Sequence, residues 1–329
     1  MFLHRRKHNR HYKGLVLHTA QLRRGAPENL ADEVSSQPRA LEEFARSKLP
    51  KAPRESVFVG AGDSYAAALA AFYMSKADCL AVDPYSLVAF PGIAAGREVF
   101  FISVSGRTSS NIAAVMKVHR IAKTTTSLTS DGRSKLAAST DRTVKLPMKV
   151  VPRTPGLLSF SLSLLAALKI SKGDVSCDFG RAFRRAEVDC RQMSFARGTT
   201  YFLGNAAAYA VSLYSAAKVY ELLGTKAHAE MLEEFSHMEL FSLRKSDSVN
   251  VFSCFDPSQT GARLRRALEE HGYKSRLIPN RGSSEVERLF HSVFVAQLAV
   301  LRRAEAIGLS KPRFLDAKDR LEVSDARIY

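Results

Sequence analysis

Apolar positions along this chain change period in a regular way. Val57-Phe58-Val59 and Val99-Phe100-Phe101-Ile102 are near-continuous apolar runs, the pattern of parallel strands covered on both faces. Each runs into a turn of small residues and then into a helical pattern: Gly60-Ala61-Gly62-Asp63-Ser64 leads into an alanine-rich segment. The Ser103–Ser110 stretch leads into Ile112, Val115, Met116, Val118 and Ile121 at helical spacing. Leu80–Ala89 contains a strand-like run, and Thr125–Leu128 and Arg142–Leu146 read as further strands. Asn29–Leu49 in front of them reads as a helix broken at Pro38. The βαβαβ rhythm predicts a parallel, doubly wound, flavodoxin-like sheet flanked by helices.

Leu157–Ile170 is an apolar helical stretch and Asp178–Ala196 a charged one, and at Thr199 the rhythm restarts. Val57-Phe58-Val59-Gly60 lines up with Tyr201-Phe202-Leu203-Gly204, Tyr65-Ala66 with Tyr209-Ala210, and Leu69 with Leu213, all at one constant offset. Two copies of one αβ module is the simplest account. The second copy continues as a helix to Leu223, a strand at Val249–Phe255, a helix at Thr260–His271, a strand at Ser275–Ile278 and a helix at Glu285–Ile307. Gly308–Tyr329 is polar with little periodicity, and a stretch that long without structure either covers something or is disordered. The expected divisions are a basic tail (1–28), a first module (29–172), a second module (173–307) and a C-terminal tail (308–329).

A length of 329 residues suits about two domains. Forty-nine Lys and Arg against 32 Asp and Glu leave a net charge of +17, which suits acidic partners: nucleic acid, anionic membrane or phosphorylated metabolites. Part of that excess lies in MFLHRRKHNRHYKGLVLHTAQLRRG, which holds no acid and reads as a solvated tail, with a nucleic-acid-binding arm as the alternative. It lacks the apolar core of a secretion signal, and no stretch of the chain approaches the ~18 apolar residues of a membrane span. Cys79, Cys177, Cys190 and Cys254 show no metal-ligand spacing and are expected to be reduced, buried thiols in a cytoplasmic protein without structural zinc.

The Ser103–Ser110 stretch is the first candidate for chemistry. A helix's first turn has backbone N–H groups without partners and the positive end of the helix dipole, so an anion is stabilised there. Ser103, Ser105 and Thr108 add hydroxyl donors, and Gly106 lets the backbone approach closely. The same pattern also suits an ordinary helix capped by Ser or Thr, and Arg107 either adds a charge or faces water. Lys218 and Glu221, three apart, share a helix face, a spacing that serves a solvated ion pair as well as a reactive one. His228, Glu230, Glu233, Glu234 and His237 follow without the spacing of a zinc helix, so no metal is expected.

Val57–Ala66, the Ser103–Thr108 loop, Lys218 with Glu221, His237 and Pro312–Lys318 occur in the same order as in the tandem sugar-isomerase (SIS) domain family. From about Asn29 onward the chain resembles the isomerase half of glucosamine-6-phosphate synthases and the standalone archaeal-type glucosamine-6-phosphate deaminases. Gln37-Pro38 resembles the family's opening helix, and the interval from Glu221 to His237 matches its glutamate-to-histidine interval. The resemblance implies that Ser103, Ser105 and Thr108 hold a sugar 6-phosphate, with Gly62 and Ser64 lining the same pocket. It implies that Glu221 moves a proton between C1 and C2, and that Lys218 stabilises the developing oxyanion. His237, supplied by the neighbouring subunit of a homodimer, would open the sugar ring, and Lys318 would lie in a tail folded over the site.

No organic cofactor or metal is implied. The substrate would be a hexosamine or ketohexose 6-phosphate, such as glucosamine 6-phosphate or fructose 6-phosphate. Where the family has Gln, an acid and Gly-Pro, this chain has Val104, Arg107 and Met238-Glu239, and its Arg153–Ser161 loop lacks the family's Ser-Thr-Lys run. These departures bear on substrate identity, and the altered loop favours the alternative of a non-catalytic sugar-phosphate-binding regulator. The resemblance extends to no glutamine-hydrolysing domain, so a separate glutaminase partner stays open.

Overall fold

The computed structural model describes residues 28–149, 151, 153–173 and 175–329, so the basic segment read as a tail lies outside the described residues except for Glu28. Two parallel sheets flanked by helices carry the chain. The first contains β1 (Ser56–Val59), β2 (Cys79–Val82), β3 (Glu98–Ile102), β4 (Thr124–Thr129) and β5 (Arg142–Lys145), in the order β2-β1-β3-β4-β5. The second contains β6 (Thr200–Leu203), β7 (Ala227–Glu230), β8 (Ser248–Phe252) and β9 (Lys274–Ile278), in the order β7-β6-β8-β9. In both, the chain steps to one edge and then crosses to the other side of its first strand. The loops after β1 and β3 therefore flank a topological switch point, where open α/β sheets bind ligands. Val59 pairs with Phe101, which brings those two loops side by side.

Strand alternation sorts the core. Phe58 and Phe100 stack with centroids 5.0 Å apart and belong to one large cluster that also takes in Phe202 and Phe252 of the second sheet. Val57, Val59, Val99 and Phe101 point the other way, into a separate cluster with Val115 and Val118 of α4 (Ser109–Val118). The shared core is built from α2 (Asp63–Met74), α6 (Leu158–Lys172), α8 (Ala207–Lys218) and α11 (Glu285–Ala306). Buried alanines at 66, 67, 68, 70 and 71 make α2 apolar all round and slim enough to pack against both α6 and α8. Among the described residues no helix is long and apolar enough to cross a membrane.

The turns after β1 and β6 share a backbone shape. A Cβ on Gly60 would meet the Ser64 backbone carbon at 2.5 Å, and one on Gly204 would meet that of Ala208 at 2.7 Å. Two residues on, Gly62 (φ 57°, ψ −127°) and Ala206 (φ 51°, ψ −130°) take the same left-handed-side conformation at the helix start.

Several local expectations change. Pro38 does not break the first helix, which runs unbroken as α1 (Glu28–Ala45). Leu30, Val34, Leu41 and Phe44 bury its apolar face, and Gln37 beside the proline is locked to Gln297 (2.8 Å) and Ser161 (2.7 Å). This anchoring outweighs the ~3 kcal/mol of an interior proline. Of the Leu80–Ala89 run only Leu80–Val82 is strand, as part of β2. Asp83 accepts from the N–H groups of Tyr85 (3.0 Å) and Ser86 (3.1 Å), and with Pro84 in the first turn it starts α3 (Pro84–Ala89). The charged helix ends early, as α7 (Phe179–Asp189), followed by a 3₁₀ turn. Gly308–Tyr329 is neither irregular nor free: a 3₁₀ turn at Arg313–Asp316 leads to α12 (Lys318–Ile328). Arg327 stacks on the Tyr85 ring at 4.4 Å, and Asp325 pairs with Arg153 at 3.3 Å. Cys79, Cys190 and Cys254 are buried thiols, but Cys177 is partly exposed.

Candidate active site

The loop after β3 has a glycine that its surroundings demand. Gly106 sits at φ 61°, and a Cβ there would meet Ser134 Oγ at 2.1 Å. The turn it allows brings Ser103 Oγ within 3.1 Å of Thr108 Oγ1, just ahead of α4. Thr108 makes no side-chain cap on that helix, so the first-turn amides of α4 receive no hydroxyl from it.

A cavity of about 580 Å³ opens over this loop and is lined by Ser103, Ser105, Thr108 and, from the loop after β1, Asp63 and Ser64. Arg107 and Arg153 supply positive charge to its wall, and Asp325 and Tyr329 reach it from the C-terminal helix. Ser163 on α6 also lines it, and its buried hydroxyl has no partner.

Lys218 ends α8 with its ammonium wholly buried. Nζ lies 2.8 Å from Asp63 Oδ2 and 2.5 Å from Glu221 Oε2, the glutamate being brought round by a π-type turn (Val219–Leu223). Asp63 belongs to the first sheet's loop and Lys218 to the second sheet's helix, so this contact joins the two halves at the cavity wall. The surroundings are equally shared. Tyr214 on α8 donates to the Gly156 carbonyl at 2.8 Å, and its ring stacks on Phe160 at 3.8 Å. Gln297 donates to the Tyr214 oxygen at 2.9 Å. Glu33 of α1 accepts from the Leu158 N–H at 2.8 Å.

The charges follow from this packing. Burial raises the Glu221 carboxyl above its ordinary value; the Lys218 cation opposes this and the Asp63 carboxylate reinforces it. Burial alone would lower Lys218, but the Asp63 and Glu221 carboxylates together hold it above its ordinary value, so it stays an ammonium. Burial also raises Glu33. The result is one fixed cation facing carboxylates, of which Glu221 holds a proton more readily than an ordinary glutamate does.

The structure therefore brings together Ser64, Ser103, Ser105 and Thr108 around one cavity, with Lys218 and Glu221 behind its Asp63 wall. Gly62 and Gly106 shape the two loops without lining the cavity. His237 does not join them: its side chain is 70% exposed and pairs with Glu233 at 3.1 Å. Lys318, at the start of α12, is exposed and does not line the cavity. Asp63 and Ser163 are cavity residues that the sequence reading passed over, and Arg153 entered it only as the first residue of the altered loop. Only Asp63 carried a signal, as an acid among the small residues of the turn after β1.

No protein-family model matches the chain, and no curated protein matches it in sequence. Solved structures do. Glucosamine-6-phosphate deaminase from Thermotoga maritima is 23% identical over 86% of this chain and 96% of its own, with a TM-score of 0.69. The C-terminal domain of glucosamine-fructose-6-phosphate aminotransferase from Francisella tularensis is 17% identical over 85% and 95%, with a TM-score of 0.67. Tagatose-6-phosphate ketose/aldose isomerase from Escherichia coli is 19% identical over 85% and 94%, with a TM-score of 0.64. What these proteins share with this chain is the fold of two parallel sheets flanked by helices.

Proposed function

We propose that this protein is a phosphosugar isomerase or deaminase acting on a hexosamine or ketohexose 6-phosphate by proton transfer between C1 and C2. The observation that carries the reading is the buried Lys218 held between Glu221 and Asp63, the latter lining the cavity over the Ser103–Thr108 loop. The three structural neighbours named above act, by their names, on hexose or hexosamine 6-phosphates.

The chemistry follows from the groups present. A phosphate accepts hydrogen bonds from the hydroxyls of Ser103, Ser105 and Thr108 and from the first-turn amides of α4, far enough from the reacting carbons to supply orientation. Glu221, with its raised pKa, takes the proton from C2 of the aldose or C1 of the ketose and returns it to the neighbouring carbon. The intermediate is an enediol or enolamine, and the Lys218 ammonium stabilises its developing oxyanion, where charge is greatest in the transition state; with a hexosamine phosphate, reprotonation at C1 leaves a C2 imine, to which water adds as ammonia is expelled. Asp63 fixes the ammonium in place. His237 acts from the partner in a homodimer to open the sugar ring, and α12, with Lys318 at its start, covers the cavity and excludes water.

The test is ammonia release from glucosamine 6-phosphate, run beside interconversion of fructose 6-phosphate and glucose 6-phosphate, with Glu221→Gln as the control. Ammonia that vanishes in the control identifies a deaminase, and sugar interconversion alone an isomerase. Full turnover in Glu221→Gln refutes the mechanism. The altered Arg153–Ser161 loop and the exposure of Lys318, which does not line the cavity, favour a second reading, a sugar-phosphate-binding regulator. Tight binding of these sugars without turnover would support it.

A further inference from the structure

His228 and Glu230 stand two apart on β7, at an edge of the second sheet, and so present their side chains on the same face. The chain then forms a short helix, α9 (Leu232–His237), and a 3₁₀ turn (Glu239–Ser242) that returns Glu239 to that strand. His228 Nε2 lies 2.9 Å from Glu239 Oε1 and 3.9 Å from Glu230 Oε2. One donor atom from each of the three lies within 4.8 Å of the other two. Around a tetrahedral ion with bonds of about 2.0–2.2 Å, donor atoms stand roughly 3.3–3.6 Å apart, a range between the two observed distances.

An ion pair between His228 and the two acids is the simpler account of this cluster, but it leaves one atom unexplained. Glu239 Oε2 is buried and has no hydrogen-bond partner. A carboxylate oxygen removed from water without a donor is costly, and a second carboxylate close by adds repulsion. The groups are also held in place from behind. The Met231 N–H donates to Glu230 Oε1 at 2.8 Å, and the His228 ring meets Tyr201 edge to face at 5.9 Å. Fixed ligand orientation of this kind is what a metal site requires.

We propose that His228, Glu230 and Glu239 bind a divalent transition-metal ion of the zinc type. One imidazole nitrogen and two carboxylates suit such an ion and leave a fourth position for water. Three protein ligands with a nitrogen among them are too few and too soft for calcium, which takes six to eight oxygens. The ligands come from a strand and a turn, which is why no zinc-helix spacing announces them. None of the three lines the cavity, so the ion is structural with respect to it. It clamps the two ends of the segment that contains α9 and His237.

The experiment uses the full, untagged chain, stripped with a chelator, loaded with zinc or cobalt(II), and gel-filtered. The segment outside the described residues holds His4, His8, His11 and His18, which can bind metal on their own. The decisive reading is therefore the difference between wild type and two variants, His228→Ala and Glu239→Gln. The wild type is expected to retain one ion per chain more than either variant, and to show the intense visible bands of tetrahedral cobalt(II), which both variants lose. Zinc should raise the wild-type melting midpoint by roughly 5 °C at a hundredfold excess over Kd and leave Glu239→Gln unmoved. Glu239→Gln keeps the side-chain size, and its unchanged circular dichroism shows that the fold is intact. Equal stoichiometry in wild type and both variants, or no retained ion in the wild type, overturns the proposal. Neither reading depends on turnover, so the metal site and the phosphosugar mechanism fail separately.

Discussion

The two halves of this protein begin from one plan and use it for opposite purposes. In the first, the loop after β3 ends at Thr108, which does not cap α4, and the hydroxyls around it line a cavity. At the matching place in the second half, Asp256 accepts from the N–H groups of Thr260 (3.0 Å) and Gly261 (2.8 Å) at the start of α10 (Thr260–Glu270). The chain supplies its own carboxylate where the first half has room for an external anion. The loops after β1 and β6 differ in the same sense: Asp63 reaches across to Lys218, whereas Asn205 accepts from the Leu232 N–H at 3.2 Å. Conversely, the repeat offset that pairs Val57 with Tyr201 sets Lys218 against Met74, a buried core residue. On the proposed reading, the phosphate-binding loop lies in one half and the proton-transfer pair in the other, and the Asp63–Lys218 contact joins them.

The sharpest way to break this division is Glu221→Gln, which should lower turnover roughly 10²- to 10⁴-fold with little change in sugar-phosphate binding. The raised pKa of Glu221 sets a direction for pH. The base must be ionised, so kcat/KM falls as pH drops, beginning at a higher pH than an ordinary glutamate would give, and a fall at or below that ordinary value would contradict this. Ser105→Asp gives the first half an internal carboxylate like the second. Repulsion of the phosphate should raise KM roughly 100-fold while the circular dichroism spectrum stays unchanged.

A smaller effect separates the paired turn residues. A Cβ on Gly62 meets nothing within 4 Å, so Gly62→Ala reports backbone strain alone and should cost ~1–3 kcal/mol in chemical unfolding. Ala206→Gly, which relieves the same strain, should gain ~1 kcal/mol. Equal effects of opposite sign would show that the two turns are equivalent. Last, Asp256→Ala should cost ~1 kcal/mol, the usual loss of a helix cap, with turnover unaffected.

Much of the architecture could be read directly. Strands such as β1 and β3 are apolar on both faces and bounded by small-residue turns, and such runs have few alternatives to a covered parallel sheet. The hydroxyl loop was legible because Ser103, Ser105, Gly106 and Thr108 lie together in sequence. Pro38 misled because the energy that holds α1 straight comes from Gln37, Ser161 and Gln297, more than a hundred residues apart. The C-terminal helix was missed for a similar reason: Arg327 on Tyr85 and Asp325 on Arg153 hold it in place, and its own pattern is too weakly periodic to reveal it.

By itself the sequence determined the two parallel sheets, because these rest on local periodicity and on neighbours within a turn. Only the tertiary structure decided that Lys218 is buried and not part of a solvated surface pair. The reason is electrostatic: an ammonium leaves water only where carboxylates meet it, and Asp63, which joins Glu221 in doing so, comes from the other half of the chain, 155 residues away.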